Sequence, residues 1–89
     1  VSYIHKLNLS AQDRVVIKEN SQTYVVHKHK YPLVIKATDS VEVDIFDSGN
    51  HLLEKFYLRV GEMIAFPVQD RSTIVRTNIP DAIEVSAKS

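Results

Sequence analysis

From Val41 to Ile45 apolar and polar residues alternate with a period of two, Val41, Val43 and Ile45 against Glu42 and Asp44. Residues two apart on an extended chain share a face, whereas a helix brings together residues three or four apart. Asp47-Ser48-Gly49-Asn50 follows, and then a second apolar run from Leu52. Ser48, Gly49 and Asn50 are residue types that accept the positive φ a tight turn needs. The stretch from Asp39 to Pro67 therefore reads as a β-hairpin with a further strand behind it.

The same grammar extends along the chain. β-Branched and aromatic residues cluster in short runs separated by polar, glycine or proline breaks at Ser10–Asp13, Glu19–Gln22, Tyr31–Pro32, Asp47–Asn50, Gly61, Pro67–Ser72 and Asn78–Asp81. Strands are expected near Tyr3–Leu9, Arg14–Lys18, Thr23–His29, Leu33–Thr38, Val41–Phe46, Leu52–Val60, Met63–Phe66, Thr73–Thr77 and Ala82–Ala87. The spacing predicts an all-β domain, a small antiparallel β-sandwich or partly open barrel of about seven to nine short strands. One segment fits two patterns: Leu52, Leu53, Phe56, Tyr57 and Val60 also make a helical i, i+4 stripe. The turn residues before them favour strand.

The chain has 89 residues, which suits a single domain over 1–89. With only two glycines and three prolines and no low-complexity tract, no internal linker is visible. Eleven basic and eleven acidic side chains balance, so no global field draws in nucleic acid or an anionic membrane. Cysteine is absent, which removes disulfides, thiolate metal sites and cysteine nucleophiles. No apolar run approaches the roughly 20 residues that cross a bilayer as a helix.

His27 and His29, two apart on an expected strand, share a face and are the metal candidates. They are weak ones, because a structural zinc takes about four ligands and Lys28 and Lys30 stand beside them. The acidic residues Asp13, Asp44, Asp47 and Asp70 sit in strand or turn contexts that explain them without acid–base chemistry. No serine lies in a nucleophile elbow, and two glycines do not make a phosphate-cradling loop. No catalytic residue, cofactor site or enzyme activity is expected. Tyr24 and Tyr31 lie near Lys28, Lys30 and Lys36, and Tyr57 extends the group if its strand lies alongside. Such a set is the material of a stacking platform for a carbohydrate or another surface.

From Pro32 onward the order of features resembles the C-terminal extracytoplasmic β-domain of the RodZ family of bacterial cell-shape proteins. The residues that carry the resemblance are Pro32-Leu33-Val34-Ile35-Lys36-Ala37, the strand Asp39 to Asp47, Ser48-Gly49-Asn50, Leu52-Leu53, Leu58-Arg59-Val60-Gly61-Glu62, Phe66-Pro67 and Arg76 to Val85. The resemblance implies a non-catalytic scaffold domain in the periplasm or at the cell surface. It would be a piece of a longer protein, held to the membrane through a segment outside this chain, with envelope proteins as partners and no nucleic acid. Contacts would use strand edges and two loops, Asp47–Leu52 with Ser48, Gly49 and Asn50, and Asn78–Asp81 with Asn78 and Asp81. The alternative from another class is a small carbohydrate- or surface-binding module of an adhesin, secretion apparatus or phage particle, with polysaccharide on Tyr24, Tyr31 and Tyr57.

Overall fold

The computed structural model describes residues 15–67 and 69–87. They form eight strands: β1 (Val16–Asn20), β2 (Thr23–Val26), β3 (Leu33–Ala37), β4 (Val41–Asp47), β5 (Leu52–Leu58), β6 (Met63–Phe66), β7 (Thr73–Thr77) and β8 (Ile83–Ala87). No helix occurs among the described residues. The expected strand Tyr3–Leu9 lies outside them.

Two antiparallel sheets form a sandwich, one in the order β1-β2-β7-β4-β5 and the other β6-β3-β8. Among the described strands only β1–β2 and β4–β5 are hairpins; every other connection between them passes from one sheet to the other. The period-2 alternation decides which face is inside. Val41, Val43 and Ile45 are buried while Glu42 and Asp44 are not, and β3 and β7 repeat the pattern with Leu33, Ile35 and Ala37 and with Thr73, Val75 and Thr77 inward. Ile35, Ile45, Val26, Val43 and Val75 are the largest fully buried side chains. They come from both sheets, so the core is the layer between them.

The β4–β5 hairpin closes as the sequence suggests, with one change. The Asp47 carbonyl accepts from the Asn50 N–H at 3.0 Å, and the Asp47 N–H donates to the His51 carbonyl at 2.9 Å. Positive φ falls on Asn50, at 68°, rather than on Gly49. Asparagine tolerates this region because its short polar side chain bonds locally. The Asp47 carboxylate accepts from the N–H groups of Gly49 and His51, each at 2.9 Å.

These bonds hold the Asp47 carboxyl below its ordinary pKa. The His51 N–H is the largest cause; its imidazole at 3.4 Å and the Gly49 N–H add to it against partial desolvation. A carboxylate whose folded pKa is depressed stabilises the fold above its unfolded pKa and loses that contribution as pH falls through the folded one. The denaturant midpoint of the native domain is therefore expected to exceed that of Asp47→Asn near pH 6, and the gap is expected to close below about pH 4.

The loops gather at two ends. Ser21, Thr38 to Ser40, Arg59 to Glu62 and Asn78 to Asp81 share one end, tied by bonds from the Asp81 N–H to the Ser21 carbonyl and from the Gly61 N–H to the Ala37 carbonyl, both 2.8 Å. The hairpin turn, residues 67 and 69–72, and the segment from His27 to Pro32 lie at the other, as the strand registers require.

Candidate functional site

β5 ends the larger sheet, and β4 is its one ladder partner among the described residues. Its apolar residues occupy both phases of the strand, Leu52 and Leu53, then Phe56 and Tyr57. An edge strand packed on one face has no use for that pattern, and the excess lies in solvent: Tyr57 is 73% exposed and Leu52 52%. Val60, on the connection to β6, is also exposed, whereas Met63 lies on the outer face of the smaller sheet beside Val34 and Lys36.

The ladder fixes which backbone groups face outward. Glu42 directs its N–H to Asn78 Oδ1 (2.9 Å) and its carbonyl to the Asn78 N–H (3.2 Å), both on the β7 side. In an antiparallel ladder successive residues bond alternate neighbours. Val41, Val43 and Ile45 therefore bond β5, where they oppose Leu58, Phe56 and Glu54. Lys55 and Tyr57, between these, turn their N–H and carbonyl groups outward. Leu53 has no residue opposite it, because Ile45 pairs with Glu54 and Phe46 with Leu52. It is a bulge that ends the regular edge.

A lysine on an edge strand ordinarily discourages further pairing. Lys55 is instead drawn back over β4, with Nζ 3.4 Å from Glu42 Oε2 and 3.8 Å from Asp44 Oδ1. The hydrogen bond to Glu42 is the main reason its pKa lies above the ordinary lysine value, with the charges of Asp44 and Glu42 adding to it. At the far end of β5 the Arg59 N–H is capped by Glu62 Oε1 at 2.6 Å. Gly61 makes the turn to β6 with φ 86°, in the left-handed region that favours glycine. A shallow depression beside Tyr57 is walled by Ser40, Glu42, Arg59, Glu62 and Asn78.

The sequence-predicted residues do not converge on one place. Tyr57 and Asn78 border this depression. Tyr24 is buried on the inner face of β2, and its hydroxyl donates to the Ile83 carbonyl at 3.3 Å. Burial and the neighbouring Asp81 charge push its hydroxyl pKa up, against the Lys18 charge. Tyr31 lies in the β2–β3 connection with Lys30 Nζ 5.7 Å from its ring centre. The three tyrosines therefore form no platform, and the polysaccharide-stacking alternative loses its basis. Ser48, Gly49 and Asn50 make the hairpin turn at the opposite end from Asn78. Asp81 takes positive φ (54°) and holds β1 through its contact with Lys18 Nζ.

His27 and His29 are not strand neighbours, because β2 stops at Val26. The chain must leave the larger sheet here to begin β3 at Leu33. His29 Nδ1 lies 2.8 Å from the His27 carbonyl oxygen, and no group of three or more metal-ligating side chains occurs among the described residues. Sequence reasoning reached Leu52 only as the end of the contact loop Asp47–Leu52, and missed Leu53 and the apolar character of this edge. Their signal was present, since apolar residues in both phases of a strand demand either burial on two faces or a partner.

No protein-family model matches the chain, and no curated protein does. Among solved structures it is similar to the Drosophila melanogaster CENP-C cupin domain, at 20% identity and a TM-score of 0.45 over 78% of this chain and 52% of that one. It is also similar to Drosophila melanogaster CENP-C bound to CAL1, at 20% identity and a TM-score of 0.36 over 79% of this chain and 65% of that one. The chain thus spans between about half and two-thirds of those structures. The RodZ resemblance is corrected by these findings: no family model supports it, and the similar structures are CENP-C domains. The bacterial cell-shape role, the envelope partners and the extracytoplasmic location that hung on it fall with it.

Proposed function

We propose that this chain is a non-catalytic protein-interaction domain that engages its partner by strand addition to β5. The observation that carries the reading is an edge strand with outward backbone groups at Lys55 and Tyr57, bordered by exposed Leu52, Leu53, Tyr57 and Val60. Main-chain bonds supply affinity in such pairing, and alternate side chains supply selectivity. An exposed aromatic flanked by aliphatic residues is the composition of an interface hot spot. The bulge at Leu53 and the capped Arg59 N–H bound the site to a short segment of partner strand.

The test is selection of binders from a random-peptide display library against the purified domain. Selected peptides are expected to bind the native domain, and Tyr57→Ala and Leu53→Asp are each expected to weaken binding by about tenfold or more, with little change in melting temperature. A library that yields no binder, or binders indifferent to both substitutions, overturns the reading.

A further inference from the structure

We propose that the strand that fits β5 is β5 of a second copy of this chain, paired antiparallel about a two-fold axis through Phe56 and joining two five-stranded sheets into one. This names the partner of the edge described above and rests on that reading.

A two-fold axis perpendicular to a sheet passes through a pair of identical residues, since directly opposed side chains must share a face. The choice of central residue then fixes every pairing across the interface. Centring on Glu54 sets that carboxylate opposite its own copy. Centring on Lys55 does the same for two ammonium groups, and centring on Tyr57 sets Lys55 opposite Arg59. Each of these places like charges directly across the ladder, which destabilises it. Centring on Phe56 does not. It sets Phe56 against Phe56 of the partner subunit, Lys55 against the partner's Tyr57 and Glu54 against the partner's Leu58.

The backbone agrees with the side chains in this register. Lys55 and Tyr57, whose N–H and carbonyl groups face outward, become the hydrogen-bonded pairs, while Phe56, already bonded to β4, becomes the non-bonded pair between them. Each Lys55 comes to lie beside a tyrosine ring, a favourable neighbour for a cation. The ladder ends on each side where Leu53 bulges and Glu62 occupies the Arg59 N–H. Tyr57, which is exposed in the single copy, gains an opposite neighbour within the ladder.

Sedimentation equilibrium over roughly 5–200 μM tests the pairing, because a dimer populates with concentration. The native chain is expected to dimerise. Tyr57→Lys sets lysine opposite Lys55 and is expected to raise the dissociation constant by about tenfold or more. Tyr57→Phe, which keeps the ring beside Lys55, is expected to leave dimerisation within about twofold of the native chain. A second measurement uses the absence of cysteine from the chain: Phe56→Cys is expected to form an intermolecular disulfide on mild oxidation, and Glu54→Cys is not. A native chain that stays monomeric, or a dimer that ignores Tyr57→Lys, overturns the proposal. A monomer that still selects peptides sensitive to Tyr57→Ala overturns the second copy alone and leaves the strand-addition reading standing.

Discussion

Replacing Ile45 with alanine is expected to destabilise the domain by about 3 kcal/mol. Ile45 is fully buried at the centre of the inner face, between Glu54 on β5 and Val75 on β7. Its loss removes transfer free energy and leaves a cavity that both sheets border. Domains of this size are stable by roughly 5–15 kcal/mol, so a single change consumes a large share of the total. Each kcal/mol lowers the melting temperature of a 60–100-residue domain by about 4–8 °C, which predicts a fall of roughly 12–24 °C by circular dichroism. Ile17→Ala is the control on the same sheet: Ile17 is exposed on edge strand β1, and its replacement is expected to stay within about 0.5 kcal/mol. Equal effects at the two sites would contradict the assignment of faces.

The second large effect separates two tyrosines that the sequence presents as equivalent. Tyr24→Ala is expected to cost about 3–5 kcal/mol, as for other buried aromatic residues. Tyr24→Phe, which leaves the ring and removes the donor to the Ile83 carbonyl, is expected to cost about 1 kcal/mol. Tyr57→Ala is expected to leave stability within about 0.5 kcal/mol, because most of that side chain is in water. Chemical denaturation of the three variants decides the matter. A destabilising Tyr57→Ala beside a silent Tyr24→Ala would reverse the inside and outside of the larger sheet.

Much of the fold was legible because the period-2 pattern reports faces directly. Met63–Phe66 and Thr73–Thr77 match the expected strands residue for residue, and the hairpin at Asp47 carries the bonds its turn residues imply. Alternation says which side chains share a face but not which strand stands next to which. β5 lies at an edge because β4 takes β7 as its other neighbour, a pairing between segments about 30 residues apart that no local pattern reports.

The same limit explains the errors at the site. The dyad His27 and His29 assumed that β2 runs past Val26, but the crossing to β3 ends it there. The tyrosine platform assumed one shared face, whereas Tyr24 belongs to the inward phase of β2 and Tyr57 to the outward phase of β5. The RodZ resemblance rested on an order of strands and turns, and that order is common to antiparallel sandwiches. The proposed partner surface was written in the composition of β5, as two apolar phases in one short strand. Reading it required knowing that a sheet ends there.

Residue-resolved amide hydrogen exchange of the domain, alone at low concentration and with a saturating β5-binding peptide or second copy, tests the central claim most directly. Strand addition to β5 predicts fast exchange at Lys55 and Tyr57 in the free domain and strong protection of both when the partner strand is bound, with Phe56 protected in either state because it bonds β4. Protection that appears elsewhere while Lys55 and Tyr57 continue to exchange freely would contradict it.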